Sequence, residues 1–108
     1  MMEEKLDEVL QKISELFASK HASGEEQRCA VCALIEGSAA GLDAQQQHDA
    51  WMYAAFNSYA DDDTAAALQF ASRAAALPLP DGAGVVAHYA VEWLRSKLKT
   101  AGAPVYDD

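Results

Sequence analysis

The chain has 108 residues, of which 51% are hydrophobic and 23% are charged. This length accommodates one hydrophobic core but not two, and the composition excludes a disordered chain. The net charge of −9 disfavours direct binding to nucleic acid or to an anionic membrane, because contacts to phosphate need clustered Lys and Arg. The 23 alanines, and the lack of any sustained alternation of period two, predict an all-α domain, a compact five-helix bundle over residues 1–108.

The first two predicted helices span residues 3–18 and 24–38. In the first helix, the apolar residues from Leu6 to Phe17 fall on one stripe, as in an amphipathic helix that packs on a core. Ser23 and Glu26 form a capping-box pattern at the start of the second helix. The segment Cys29–Ile35 is apolar on every side, so we expect the second helix to be the central and most buried one.

The third and fourth predicted helices span residues 44–60 and 64–77. Asp43 and Gln46 repeat the capping-box pattern before the third helix, and any residue of the run Asp61–Asp63 is suited to cap the fourth. Five side chains of the third helix share one face, which we expect to enter the core. They are Trp51, Met52, Ala55, Phe56 and Tyr59.

The fifth predicted helix spans residues 82–101 and is followed by a tail at 103–108. It carries a broad apolar band, made by Val85, Val86, Tyr89, Ala90, Trp93 and Leu94. Lys97 and Lys99 lie in its last turns, where positive charge complements the carbonyl end of a helix. The first residues lack a signal-peptide pattern and no apolar run is long enough for a membrane span, so we expect a cytoplasmic protein.

The segment from Ala50 to Leu79 resembles a tetratricopeptide repeat, a helical hairpin of about 34 residues. The positions that carry the resemblance are Trp51, Ala54, Ala55, Ala67 and Ala74. They match the aromatic residue near the start of that repeat and the small residues of its two helices. The resemblance implies stacked helical hairpins, which commonly present a face or a groove to another protein.

Cys29 and Cys32 form the one obvious chemical motif of the sequence. A redox pair places its first cysteine at an exposed helix start, whereas both cysteines here fall inside a predicted helix. We therefore expect two buried structural thiols and no metal or cofactor. A zinc site that adds His21 and His48 to the two thiols is an open alternative, although the histidine spacing matches no compact zinc motif.

An acidic interval separates Arg28 from Arg73, because no Lys or Arg lies between them. Such a surface favours a partner protein with a basic surface. The candidate contact residues lie on one side of the third helix and on the turn after it: Asp49, Tyr53, Asn57, Asp61, Asp62 and Asp63. If Trp51 or Tyr53 is exposed beside this turn, it supplies the aromatic anchor of a binding hot spot.

No catalytic motif stands out, so we expect a protein without enzymatic activity. The first hypothesis is a small, acidic protein-binding domain that inhibits or neutralises a basic or nucleic-acid-binding partner, of the immunity-protein or phage anti-defence type. One alternative is a tetratricopeptide-like adaptor or secretion chaperone that binds a peptide. The other is a cysteine-based zinc or redox module. Association into a homodimer through the first or the fifth helix is left open.

Overall fold

The computed structural model describes residues 2–18, 24–79 and 84–100. The helices are α1 (Met2–Ala18), α2 (Gly24–Ser38), α3 (Ala44–Ala60), α4 (Thr64–Ala75) and α5 (Val85–Thr100), with a 3₁₀ turn at Ala39–Gly41. The described residues contain no strand, which confirms the predicted all-α helical bundle. α4 ends at Ala75 and not at residue 77. The predicted first residues of α5 and the tail at 103–108 lie outside the described residues.

Aspartate side chains cap the starts of α3 and α4. Asp43 Oδ1 accepts a hydrogen bond from the backbone N–H of Gln46 at 2.8 Å, and Gln46 Oε1 accepts one from the backbone N–H of Asp43 at 3.0 Å. This is the capping box that the sequence predicts. At α4 the cap is Asp63, whose Oδ1 accepts from the backbone N–H of Ala66 at 3.1 Å. α2 begins at Gly24 as expected, and Ser23 lies outside the described residues.

The most extensive helix contact joins α3 to α4, and alanines make much of it. Ala54 on α3 and Ala67 and Ala71 on α4 are fully buried. Since each side chain is a single methyl group, the two helices can approach closely, and the interaxial distance depends on the side chains at the contact. Trp51 and Phe70 stack across the same interface, with ring centroids 6.0 Å apart and planes 28° apart.

The central helix is α4, which packs on α3 and on α5. The expectation that α2 is the most buried helix is wrong. Val31 and Ile35 of α2 are buried, but Cys29 and Ala33 are exposed on another side of the helix. The reason is that α2 packs mainly on α1 and has a smaller contact with α3, so its neighbours cover only one face.

The helices form a slab whose Cα atoms extend over 44 × 39 × 20 Å, which accommodates two layers of helices in its short direction. In one layer, a hydrogen bond between Ser14 and Tyr53 joins α1 to α3, and an aromatic contact joins α3 to α5. In the other layer, an ion pair between Glu36 and Arg73 joins α2 to α4. None of the described helices has the length and apolar character needed to cross a membrane.

Replacing Ala67 with Leu should lower the free energy of unfolding by about 1–3 kcal/mol, because the larger side chain forces α3 and α4 apart. Urea denaturation followed by circular dichroism measures this change. Ala33→Leu on the exposed side of α2 is the matched control, and it should change the free energy of unfolding by less than about 0.5 kcal/mol. Equal losses in the two variants would contradict the close contact of α3 and α4.

Candidate functional site

A groove of about 380 Å³ runs across α1, α3 and α5. Its lining residues are Leu10 of α1, Val86 of α5, and Gln45, His48, Asp49, Met52, Tyr53 and Phe56 of α3. α3 therefore supplies most of the groove, and its neighbours in the same layer supply the sides. The volume lies within the range of about 300–1,000 Å³ that is usual for ligand-binding clefts.

Exposed aromatic residues continue from the groove along α3 and α5. The exposed fractions are 60% for Phe56, 38% for Tyr59, 68% for Tyr89 and 48% for Trp93. The rings of Tyr59 and Trp93 contact each other, with centroids 5.0 Å apart and planes at 59°. These four residues, together with Val86, are the aromatic patch. Apolar side chains gathered in one place on the surface of a soluble domain commonly mark an interaction site.

The expectation that Phe56 and Tyr59 enter the core is wrong. α3 buries the face that contacts α4, which includes Trp51, Ala55 and Ser58. At 3.6 residues per turn, Phe56 lies about 140° around the helix from Trp51, and it therefore projects to the opposite side. Met52 from the same predicted face is buried, so the prediction holds for three of its five residues.

The apolar band of α5 is divided in the same way. Ala87 and Leu94 are buried, whereas Val86, Tyr89 and Trp93 are exposed, so the core covers only part of the band. α5 has α4 as its principal neighbour. A single neighbouring helix covers one face of an apolar helix, and the remaining face stays on the surface.

Neither aromatic residue that the sequence suggested as an anchor is fully exposed. Trp51 is 4% exposed, and the guanidinium carbon of Arg73 lies 4.5 Å from the centroid of its ring. Tyr53 is half-buried, and its hydroxyl shares a hydrogen bond with Ser14 Oγ. The exposed aromatic side chains are those of the aromatic patch. The sequence signal for them was the width of the apolar band on α5, which exceeds one helix face.

The predicted contact residues of α3 lie along the groove. Asp49 and Tyr53 line it. Asn57 is one turn further on, and its side-chain amide donates a hydrogen bond to the backbone carbonyl of Tyr53 at 2.9 Å. The structure therefore brings two of these three side chains to the groove, and it engages the third with its own helix.

The Asp49 carboxylate is held in place by neighbours on the same helix. Asp49 Oδ1 accepts hydrogen bonds from Gln45 Nε2 and from His48 Nδ1, both at 3.1 Å. His48 is 5% exposed, and its Nε2 is buried without a partner among the described residues. Because 46% of the Asp49 side chain remains exposed, the carboxylate can still accept hydrogen bonds from a cationic side chain at the groove.

The acidic turn Asp61–Asp63 joins α3 to α4 and is fixed by backbone hydrogen bonds. The backbone N–H of Asp61 donates to the carbonyl of Asn57 at 3.1 Å, and that of Asp63 donates to the carbonyl of Ser58 at 2.9 Å. Asp62 has a φ of 62°, in the left-handed region that favours glycine. Asp61 and Asp62 are exposed, and Asp63 is half-buried because it caps α4.

The two cysteines differ in their surroundings. Cys29 is exposed, which contradicts the expectation of two buried thiols, and Cys32 is half-buried. Burial raises the pKa of the Cys32 thiol, against the opposing effect of the Arg73 charge. The thiol of Cys32 therefore stays protonated at neutral pH and is a poor nucleophile and metal ligand.

The four residues of the alternative zinc site are not placed together by the described structure. His21 lies outside the described residues. His48 is buried in α3 beside Asp49, while both cysteines are on α2. Within residues 2–18, 24–79 and 84–100, no three His, Cys, Asp or Glu side chains are grouped so that they could hold a metal ion.

Comparison of the chain with protein-family models, with curated proteins and with solved structures gives no match. The resemblance of residues 50–79 to a tetratricopeptide repeat therefore stays a prediction.

Replacing Asp62 with Gly should raise the free energy of unfolding by up to about 1 kcal/mol, because glycine adopts the left-handed conformation without a steric cost. Asp61 has a φ of −88°, so Asp61→Gly is the matched control. Asp61→Gly relieves no steric cost in the folded turn and adds conformational freedom to the unfolded chain, so it should lower the free energy of unfolding by about 0.5–1 kcal/mol. Thermal unfolding measures both, and the same sign in the two variants would contradict the turn geometry.

The thiol of Cys29 should react at least about tenfold faster than that of Cys32 with Ellman's reagent at mildly alkaline pH, because it is exposed and Cys32 is partly shielded and holds its proton. The single-cysteine variants Cys32→Ser and Cys29→Ser separate the two rates. In denaturant the two rates should become similar. Similar rates in the folded protein would show that the fold does not shield the thiol of Cys32.

Proposed function

We propose that this protein is a non-enzymatic protein-binding domain that holds a segment of a partner protein along the groove and the aromatic patch. The observation that carries the proposal is the exposure of Phe56, Tyr59, Tyr89 and Trp93 on two neighbouring helices beside a preformed groove. Tyrosine and tryptophan are enriched at binding hot spots, where a few aromatic side chains account for most of the affinity.

The charge around the groove favours a basic partner segment. The chain carries a net charge of −9, and Asp49 is exposed on the groove wall. Glu92 is exposed next to Trp93 on α5, and Asp61 is exposed two residues after Tyr59, the last residue of the aromatic patch on α3. Lys97 lies over the ring of Trp93, 5.3 Å from its centroid, so the positive charge is at the C-terminal end of the patch.

The partner segment therefore carries apolar side chains flanked by Lys or Arg. The apolar side chains pack on the aromatic patch, and the cationic side chains reach Asp49 and the acidic turn. Opposite charges accelerate association and exclude acidic competitors. When the bound segment belongs to the working surface of a basic or nucleic-acid-binding protein, occupation of the groove inhibits that protein, as in the immunity-protein or phage anti-defence type.

The second candidate is a tetratricopeptide-like adaptor or secretion chaperone. It is favoured by one specific feature, since the groove is lined by the first, third and fifth helices of the chain. An array of helical hairpins buries one helix of each pair and presents the other along a shared surface. In this role the bound peptide is extended and the apolar contacts dominate its affinity.

A random-peptide display selection against the purified protein tests the proposal. The enriched peptides should combine aromatic or aliphatic residues with Lys or Arg. A synthetic peptide from the selection should bind at least about tenfold more weakly to Tyr89→Ala and to Trp93→Ala, because each variant removes an exposed anchor. Fluorescence anisotropy measures the affinities. Val85→Ala, on the same helix but outside both the aromatic patch and the groove lining, is the matched control and should bind as the wild-type protein does.

The effects of charge substitutions and of salt on the peptide affinity separate the two candidates. For a basic partner segment, Asp49→Asn should weaken binding several-fold and the affinity should fall as salt increases, whereas Glu25→Gln on α2 should have little effect. Affinity that does not change with salt favours the adaptor. Peptides whose binding is unaffected by Tyr89→Ala and Trp93→Ala would overturn both candidates. Sedimentation equilibrium of the free protein shows whether the aromatic patch is instead covered by a second copy.

A further inference from the structure

A second cavity, of about 420 Å³, lies between α2, α4 and α5 and shares no lining residue with the groove. Its apolar wall is formed mainly by Leu68, Phe70 and Leu98. Arg73 and Arg95 also line it. An apolar cavity of this size with a few polar groups is the usual form of a small-molecule site.

The two arginines make this cavity exceptional in an acidic chain. The protein has eight Lys and Arg residues against 17 Asp and Glu, yet two of its three arginines line one cavity. The Arg73 guanidinium is held in a fixed orientation by the ion pair with Glu36 and by the ring of Trp51, which lies 4.5 Å away.

Within the described ranges, Arg95 lacks a comparable partner. Its buried Nε has no hydrogen-bond acceptor there, and no carboxylate of these ranges forms an ion pair with it. A guanidinium is always charged and offers a planar fork of donors that matches a carboxylate or a phosphate. Cys32 also lines the cavity, and its thiol is uncharged at neutral pH, so it adds no negative charge that would repel an anion.

We propose that this cavity binds a small organic anion, with a carboxylate or phosphate group on Arg95 and an apolar body against Leu68 and Phe70. Arg95 supplies the specific contact, because its Nε–H has no partner among the described residues and its side chain is half-buried. Arg73 adds positive charge from a fixed position, partly offset by Glu36. The ligand combines an oxyanion, which matches the arginine donors, with a hydrocarbon body, which matches the apolar wall. This inference is independent of the proposed peptide groove.

Nuclear magnetic resonance titration of the ¹⁵N-labelled protein with hexanoate and with hexyl phosphate tests the proposal. Of the three arginine Nε–H resonances, that of Arg95 should shift most, together with the backbone signals of Ser72 and Arg73. Hexanol, which has the same body without the charge, should bind at least tenfold more weakly. Inorganic phosphate alone should also bind more weakly than hexyl phosphate, because it lacks the apolar body.

Arg95→Gln should weaken the binding of hexanoate and of hexyl phosphate at least tenfold. Arg95→Lys keeps the charge without the planar fork, so its affinity for both anions should lie between those of the wild-type protein and Arg95→Gln. This variant remains a test if Arg95→Gln is poorly folded. Lys99→Gln is the matched control, since Lys99 is exposed on the same helix and outside the cavity, and it should leave both affinities within twofold of wild type. The proposal is overturned if hexanol binds as tightly as hexanoate, or if Lys99→Gln weakens binding as much as Arg95→Gln.

Discussion

The close contact between α3 and α4 is the interaction on which the rest of the structure depends. Fully buried alanines on both helices allow a short interaxial distance, and the Trp51–Phe70 stack lies in the same interface. Since the helices meet on this face, the rotation of α3 about its own axis is determined. The same contact makes α4 the central helix, because its other side remains available to α5. Every later feature of the surface follows from these two orientations.

The exposure of the aromatic patch is a consequence of that arrangement. With one face of α3 turned to α4, the side chains about 140° away, such as Phe56, have no helix to cover them. α5 also turns its buried face to α4 and leaves Tyr89 and Trp93 on the surface. Two neighbouring helices thus expose aromatic side chains side by side. Exposed apolar side chains gathered on one surface commonly mark an interaction site, and this is the basis of the proposed binding role.

The charges of the protein are distributed unevenly over the slab. The exposed carboxylate of Asp49 lines the groove, whereas Arg73 and Arg95 line the cavity between α2, α4 and α5. The two concave regions therefore carry side chains of opposite charge. This is why the ligands proposed for them, a basic protein segment and a small anion, also differ in sign. A net charge of −9 conceals this separation, because it sums over both regions.

The sequence by itself determined the local structure. Alanine content and apolar periodicity set the helices, and the Asp43–Gln46 capping box is made by neighbours three residues apart. Only the tertiary structure decided which faces are covered. The patterns on α2, α3 and α5 contain more apolar residues than one core face needs, and periodicity does not say which of them a neighbour will bury. For that reason the pattern assigns Cys29 and Phe56 to the interior, whereas both lie at the surface in the fold. The sequence likewise does not predict that Arg73 and Arg95 line the same cavity, since this depends on how α4 and α5 pack together.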